Sequence, residues 1–134
     1  MTDDWNAKVI AEFRSRGGEV EAFNGAPLLL LTTIGWKTGR RHTTPVMYLL
    51  DDERYVVFAS KAGAPENPIW FLNLVANPIV GVEVGRESFE AEATVLKGEE
   101  RAALYAEQVE RRPQFGEFQA MTTREIPVIA LERL

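Results

Sequence analysis

The sequence predicts a mainly β protein, in which six antiparallel strands close a small barrel and three helices flank it. Three observations predict this class. Short apolar segments recur along the chain, tight polar or glycine-containing turns join several of them, and helical spacing of apolar residues is confined to three places. Strands joined by tight turns pair antiparallel, because parallel strands need a long crossover. The 134 residues have the size of one domain, so we expect 1–134 to form a single domain.

Apolar residues at helical spacing predict a first helix near the N-terminus. They are Trp5, Val9, Ile10 and Phe13. Asp3 and Asp4 are candidate caps at its start, and Gly17-Gly18 ends it.

Three strands follow, and the last two of them form a hairpin across the short polar turn at 51–54. The predicted strands are 28–33, 43–50 and 55–60. Pro45 has no backbone N–H, so we expect it at the edge or the start of the second strand.

The second half of the chain continues the pattern with helix, two strands, helix and strand. Asn67-Pro68 is a suitable N-cap and first-turn pair for the middle helix, which ends before Pro78. The remaining predicted elements are strands 79–84, 88–96 and 126–131 and a helix at 99–112. Residues 115–123 fit neither helix nor strand clearly.

Composition excludes several kinds of site. Cysteine is absent, which excludes disulfides, zinc–thiolate sites, iron–sulfur clusters and a cysteine nucleophile, and a single histidine excludes a histidine-rich metal site. A net charge of −5 argues against nucleic acid as a partner. The acidic N-terminus does not resemble a secretory signal, and the longest apolar run is too short to span a membrane.

The charge is unevenly distributed. Residues 25–50 contain no carboxylate, yet residues 34–42, here called the basic loop, carry Lys37, Arg40, Arg41 and His42. The neighbouring residues are small or hydroxyl-bearing: Gly35, Thr38, Gly39, Thr43 and Thr44. Clustered cations, with glycines that let backbone N–H groups approach a ligand, favour an anion. The alternative is an ordinary solvated loop.

A second loop, residues 59–68, leaves a strand and enters a helix. Its small residues permit close approach of a ligand, and the helix N-terminus adds a positive dipole; the alternative is a plain strand-to-helix connection. No histidine is adjacent to Ser60 in sequence, and His42 lacks an obvious carboxylate partner, so a hydrolytic triad is weakly supported.

Taken together, the two loops resemble signatures of the deazaflavin-dependent nitroreductase family. The first is LLTTIGWKTG at 30–39 with TPVMY at 44–48, and the second is ASKAG at 59–63 with NPIWFLNLVANP at 67–78. The segment TTREIPV at 122–128 is similar to the family's closing segment. The resemblance covers nearly the whole chain, from about residue 7 onward.

The resemblance implies a split β-barrel related to the flavin-binding split barrels. It also implies coenzyme F420, a deazaflavin with a phosphodiester and an oligoglutamate tail, as the cofactor. The expected reaction is hydride transfer from the reduced cofactor to a flat, largely apolar acceptor that is quinone-like or nitroaromatic-like. Two alternatives stay open: an FMN-dependent oxidoreductase of the same fold, and a non-catalytic protein that binds or carries the deazaflavin.

The resemblance also implies the cofactor contacts. Trp36, Lys37 and Thr38 fall where the family holds the phosphate and tail, next to Gly39, Arg40 and Arg41. The segment beside the cofactor comprises His42, Thr43, Thr44, Pro45, Val46 and Met47. The ring is approached by Phe58, Ala59, Ser60, Lys61, Ala62 and Gly63. The pocket is completed by Ile69, Trp70, Phe71, Leu72 and Asn73.

Ser60 and Lys61 are the candidate catalytic residues, as a hydrogen-bond donor near the ring and as a stabiliser of developing negative charge. Arg112, Phe115 and Phe118 are the candidate substrate-binding residues. They stand where the best-known member of the family carries tyrosines, and the alternative is that the two rings merely cap the barrel. Trp36 stands where the family commonly has a basic residue, and Arg40 and Arg41 are expected to compensate.

The expected partner is a small-molecule acceptor, with a homodimer as a further expectation. A peripheral membrane contact through the first helix is a weaker alternative to packing of that helix on the barrel. The resemblance alone implies a cytoplasmic location, in an F420-producing bacterium that is an actinobacterium.

Overall fold

Six antiparallel strands close a barrel, as the sequence predicts, in the order β1-β2-β3-β6-β5-β4. The computed structural model describes residues 2–134 of the chain, and side chains from Asp4 onward. The strands are β1 Leu28–Ile34, β2 Arg41–Asp51, β3 Arg54–Phe58, β4 Ile79–Val84, β5 Glu87–Leu96 and β6 Val128–Arg133. The basic loop is therefore shorter than expected, because Arg41 and His42 already pair with β1.

Alternation of side chains along each strand fills the barrel interior. Leu29 and Leu31 of β1, Val57 of β3 and Ile129 and Leu131 of β6 are fully buried in this inner cluster. Apolar groups on alternate positions share one face of a strand, so a closed sheet gathers them into one core.

Four α-helices surround the barrel, one more than predicted. They are α1 Thr2–Ser15, α2 Ile69–Ala76, α3 Gly98–Arg111 and α4 Gln114–Ala120. The additional helix, α4, lies in the segment that the sequence left ambiguous. It has seven residues, of which Gly116 is the third, so its own helix propensity is weak. Burial of Phe115 against Phe58 and Tyr105 stabilises it instead.

Helix α1 packs on the outer wall of β1. Val9 and Phe13 are buried with Leu28 and Leu30, whereas Trp5 remains 47% exposed. The packing alternative for this helix is thus the one observed, and of Trp5, Val9 and Phe13, the residues that would make the membrane contact, only Trp5 is exposed. In the part of the chain that the structure describes, no helix has the length and apolarity needed to cross a membrane.

Helices α3 and α4 cover the outer faces of β3 and β6. The Tyr105 hydroxyl donates to the Phe115 carbonyl at 2.6 Å, which ties the two helices together. Burial of that phenol raises its pKa above the ordinary value.

Strand β2 changes neighbours along its length, and this opens the barrel wall. It pairs with β1 over Arg41–Met47, but with β3 only over Tyr48–Asp51. Residues 41–47 therefore have an edge that no strand of the described chain pairs with. The Tyr48 N–H donates toward β1, to the Pro27 carbonyl at 3.1 Å. Since N–H directions alternate along a strand, the nitrogen of Pro45 points to the open edge, as its chemistry predicts.

Truncation of the inner cluster should destabilise the barrel. We expect Leu31→Ala to lower the free energy of unfolding by about 2–5 kcal/mol, because a fully buried side chain is replaced by a cavity. The matched control is Leu50→Ala, at a position 56% exposed, which should change the free energy of unfolding by less than about 0.5 kcal/mol. Urea unfolding followed by circular dichroism measures both, and equal losses would contradict the assignment of the core.

Candidate functional site

The basic loop is a tight turn closed by its own backbone. The Gly35 N–H donates to the Arg40 carbonyl at 2.7 Å, and the Gly39 N–H donates to the Gly35 carbonyl at 2.8 Å. The N–H groups of the two glycines are therefore used to close the turn and are not available to an anion. In the described chain, the N–H groups of Lys37 and Thr38 at its tip have no protein partner.

Gly35 is required by close approach rather than by an unusual backbone angle. A Cβ at this position would lie 2.6 Å from Thr38 Oγ1 and 3.1 Å from His42 Nε2. The loop thus folds its hydroxyl and its imidazole back over a residue that has no side chain.

Asn73 of α2 fixes the basic loop to the helix. Its Oδ1 accepts the Trp36 N–H at 3.0 Å, and its Nδ2 donates to Thr33 Oγ1 at 3.0 Å. Asn73 and Thr33 are both fully buried. The amide of Asn73, which the sequence places among the cofactor contacts, is thus committed to the protein, and it acts on any ligand through the loop it holds.

A groove of about 400 Å³ lies between the basic loop and α2. Its lining residues are Gly35, Trp36, Lys37, Thr38, His42, Ile69, Leu72 and Asn73. Trp36 and Ile69 are 49% and 59% exposed, so apolar surface borders the groove. The structure therefore brings the basic loop and the start of α2 together, as the sequence predicts.

The cations of the basic loop are available to a ligand. Among the side chains described from Asp4 onward, Lys37, Arg40 and Arg41 have no carboxylate within 4.0 Å. Lys37 Nζ instead lies 4.9 Å from the centre of the Trp36 ring. Cations without a carboxylate neighbour keep their full attraction for an external anion.

The strand that follows cannot present all of its residues to one ligand. His42 lines the groove beside α2, whereas Arg41 and Thr43 line a separate surface groove of about 790 Å³ on the outer barrel wall. Val46 packs in the inner cluster, and Met47 packs on the opposite side of the strand. The resemblance implies that the segment 42–47 runs beside the cofactor, and the structure divides its side chains between two faces, because successive side chains of a strand point to opposite faces.

The residues at the start of α2 are also divided between the groove and the core. Ile69 and Leu72 border the groove, while Trp70 is 8% exposed and packs with Phe71 against the inner cluster. The ring of Trp70 is thus a core residue, which sequence reasoning also favours for an aromatic residue at helical spacing.

The loop at 59–68 contains an uncommon run of left-handed backbone. Lys61, Ala62 and Gly63 have φ values of 46°, 53° and 82°. A Cβ on Gly63 would lie 2.9 Å from the Phe118 carbonyl oxygen and 3.0 Å from the Cβ of Met121. Helix α4 therefore packs directly on the turn that carries the candidate catalytic residues.

One arginine, missed by sequence reasoning, binds this loop at four points. Arg124 Nε donates to the Ala64 carbonyl at 3.0 Å, and Nη2 donates to the Ser60 carbonyl at 2.9 Å. Its Nη1 donates to the Ala59 carbonyl at 3.1 Å and to Asn67 Oδ1 at 2.8 Å. The signal was present as the TTREIPV segment, but spacing along the chain gives no indication of a partner some sixty residues away.

The predicted cap of α2 is corrected by the same contact. Asn67 was expected to cap the helix, but its side-chain oxygen accepts from Arg124 and Pro68 occupies the N-cap position. The helix begins one residue later than the pattern predicts, at Ile69.

Ser60 and Lys61 differ in their availability. Within the described residues the Ser60 hydroxyl has no hydrogen-bond partner. Every fully buried side-chain polar atom of these residues does have a partner, so the Ser60 hydroxyl retains some contact with solvent. Lys61 Nζ lies 3.3 Å from Glu66 Oε2 on the same loop. A hydrogen bond from its own backbone amide, and then the Lys61 ammonium, hold the pKa of Glu66 below its usual range.

The three predicted substrate residues do not form one surface. Arg112 lines a small cavity of about 100 Å³ beside Met47, between α3 and β2. Phe115 is 5% exposed and stacks edge-on with Phe58 and Phe118. Of the three, Phe118 lies next to the 59–68 loop, through its backbone.

Comparison with known proteins gives consistent matches over most of the chain. The model of the F420H2-dependent quinone reductase family matches residues 5–133. An F420H2-dependent quinone reductase of Mycobacterium tuberculosis is 34% identical over 128 residues, covering 92% of this chain and 86% of that protein. A solved structure described as an F420-H2 dependent reductase (FDR-A) aligns with a TM-score of 0.73 at 38% identity, covering 79% of this chain and 94% of the other. A structure described as a domain-swapped dimer aligns with a TM-score of 0.74 at 33% identity, covering 98% and 100%.

Removal of the Asn73 amide should loosen the basic loop. We expect Asn73→Ala to lower the free energy of unfolding by about 1–3 kcal/mol, because Thr33 and the Trp36 N–H lose their partner. Trypsin should also cleave faster after Lys37 and Arg40. Asn77→Ala, at an exposed position just after α2, is the matched control. Unchanged cleavage in Asn73→Ala would refute its role in holding the loop.

Proposed function

Because the chain belongs to the F420H2-dependent quinone reductase family, we propose that it transfers a hydride from reduced coenzyme F420 to a quinone. When bound, the deazaflavin supplies the hydride chemistry, and the protein supplies binding, orientation and electrostatics. The observation that carries the proposal is the meeting of an anion-attracting loop, an apolar groove and an open barrel edge at one end of the molecule.

The donor set at the basic loop fits the anionic end of this cofactor. Lys37, Arg40 and Arg41 have no carboxylate partner among the described side chains, and the N–H groups of Lys37 and Thr38 are unused within the described chain. We assign the phosphodiester and the near end of the glutamate tail to Lys37, Arg40 and the two N–H groups, since charge-assisted hydrogen bonds are the strong ones. Arg41 lines the separate groove on the outer barrel wall, so it would meet only a tail that extends onto that wall. Trp36 contributes an indole face, not a charge, and the two arginines compensate.

The ring side of the site is assigned to the opening between β2 and β3. The strands diverge beyond the Tyr48–Val57 pair, so residues 43–47 and 59–63 lie on two sides of one opening. The Ser60 hydroxyl is free to donate to a ring carbonyl oxygen. Lys61 and the neighbouring N–H groups stabilise negative charge that develops on the cofactor or the acceptor. The ion pair with Glu66 partly neutralises the charge of Lys61.

The acceptor must contact the deazaflavin ring to receive a hydride, so we assign it to the ring side of the site and not to the groove that takes the anionic end of the cofactor. A quinone is flat and largely apolar and can stack against the ring there. A nitroaromatic acceptor has the same shape and is the second candidate. Phe118 remains a proposed acceptor-side residue, while the burial of Phe115 supports the alternative that this ring caps the barrel. Because we find no general acid, we assign the acceptor's proton to solvent.

Further parts of the proposal concern the assembly and its setting. Residues 1–134 act as one split-barrel oxidoreductase domain, and a homodimer is proposed because one similar structure is described as a domain-swapped dimer. A cytoplasmic site in an F420-producing actinobacterium is proposed, supported by the mycobacterial relative. Light scattering during gel filtration tests the dimer.

Loss of the loop cations should weaken cofactor binding in a salt-dependent way. We expect Lys37→Ala and Arg40→Ala each to raise the Kd for oxidised F420 about tenfold or more, because one charge-assisted hydrogen bond is worth about 1.5–3 kcal/mol. Fluorescence titration at low and high salt measures this, with FMN titrated in parallel. Lys8→Ala removes one exposed cation from α1 and is the matched control. Binding of FMN alone would overturn the cofactor assignment, and equal Kd values for all variants would overturn the role of the loop.

Turnover distinguishes an enzyme from a carrier. Reduced F420 bound to the protein should be reoxidised faster when a soluble quinone is added, followed by the return of deazaflavin absorbance. We expect Ser60→Ala to lower kcat/KM about two- to tenfold, the range for one lost neutral hydrogen bond. Ser15→Ala on α1 is the control. A rate independent of quinone would indicate a carrier, and full activity of Ser60→Ala would refute the role of its hydroxyl.

A further inference from the structure

The guanidinium of Arg124 donates mainly to backbone carbonyl groups. It makes four hydrogen bonds of 2.8–3.1 Å to the 59–68 loop. Among the described side chains no carboxylate lies within 4.0 Å of it. Three of the four acceptors are carbonyl oxygens, those of Ala59, Ser60 and Ala64. The planar guanidinium of Arg124 has fixed donor directions, so it sets the path of the loop backbone on both sides of the turn.

The loop needs such support, because its backbone is unfavourable. Lys61 and Ala62 both carry a Cβ and both adopt positive φ, a conformation that persists only where the surroundings over-determine it. The turn has few backbone hydrogen bonds of its own: Gly63 donates to Ser60 and Ala64 donates to Lys61. The guanidinium supplies the remaining restraints.

Arg124 is itself held in place by a hydrogen bond from Gln119 of α4. Gln119 Nε2 donates to the Arg124 carbonyl at 2.7 Å, and Gln119 Oε1 accepts from the Ile126 N–H at 3.0 Å and from Arg101 Nη2 at 3.1 Å. Arg101 also donates to the Ile126 carbonyl at 2.7 Å. A continuous set of polar contacts thus leads from α3 through α4 to the loop.

We propose that Arg124 is a positioning residue that holds the 59–68 loop in its cofactor-binding conformation. The inference rests on the proposed function, since it assigns Ser60 and Lys61 to the ring side of the site. Arg124 acts through the carbonyls of Ala59 and Ser60, which flank the Ser60 side chain and so fix its direction.

Limited trypsin digestion tests the restraint without any cofactor. Lys61 is the only trypsin site between Arg54 and Arg86, so cleavage there reports on this loop alone. We expect Arg124→Met to speed cleavage after Lys61 by about tenfold or more, because local opening exposes the turn. Arg124→Lys should lie between wild type and Arg124→Met, since an ammonium group cannot reproduce the planar fork. Cleavage after Lys37 in the basic loop is the internal control.

Two outcomes of this digestion would overturn the proposal. One is an unchanged rate after Lys61 in Arg124→Met. The other is a parallel rise after Lys37 and Lys61 with a lowered Tm, which indicates general unfolding. Asn67→Ala removes one of the four contacts and keeps the test available if Arg124→Met fails to fold. Arg86→Met removes an exposed arginine and is the matched control.

F420 titration then links the loop to binding. We expect Arg124→Met to raise the Kd of oxidised F420 about tenfold while the dependence of log Kd on log salt stays as in wild type, because the tail contacts are intact. Lys37→Ala should instead flatten that dependence. If wild type fails to bind F420, the proposed function fails whatever the digestion shows. If wild type binds and Arg124→Met binds equally well, the present inference fails and the proposed function stands.

Discussion

The divergence of β2 from β3 beyond the Tyr48–Val57 pair is the constraint on which the rest of the site depends. Up to that pair the two strands share a ladder, and beyond it residues 41–47 keep β1 as their single neighbour among the described strands. A barrel with one parted seam is closed enough to bury a continuous core and open enough to admit a ligand. The basic loop, α2 and the 59–68 loop all lie around this parting.

Each of the two ligand loops is held by one polar side chain from another element. Asn73 secures the basic loop through buried neutral hydrogen bonds, whereas Arg124 secures the 59–68 loop through charged ones. Neither residue adds a carboxylate to the loop it holds, in a chain whose net charge is −5. Positional accuracy and electrostatic attraction are thus supplied by different residues, and substitutions can separate them.

The strands and three helices could be predicted from apolar spacing, because burial imposes its period on the sequence. Helix α4 could not, since packing of Phe115 stabilises it more than local propensity does. The two loops and their order were readable from charge, glycine and family resemblance. The partners of Asn73 and Arg124 were not, because hydrogen bonds between residues 37 or more positions apart leave no periodic signal. The resemblance places the strand after the basic loop beside the cofactor as a whole segment, and only the structure shows which of its side chains share a face.

Pro45 has a consequence beyond ligand binding. An exposed strand edge is a template on which another polypeptide can add itself, and proteins block such edges with proline and positive charge. Here the proline nitrogen faces the open edge and Arg41 stands on the same segment. Pro45 and Arg41 are thus residues of the kind that oppose intermolecular β-sheet growth at an unpaired strand edge.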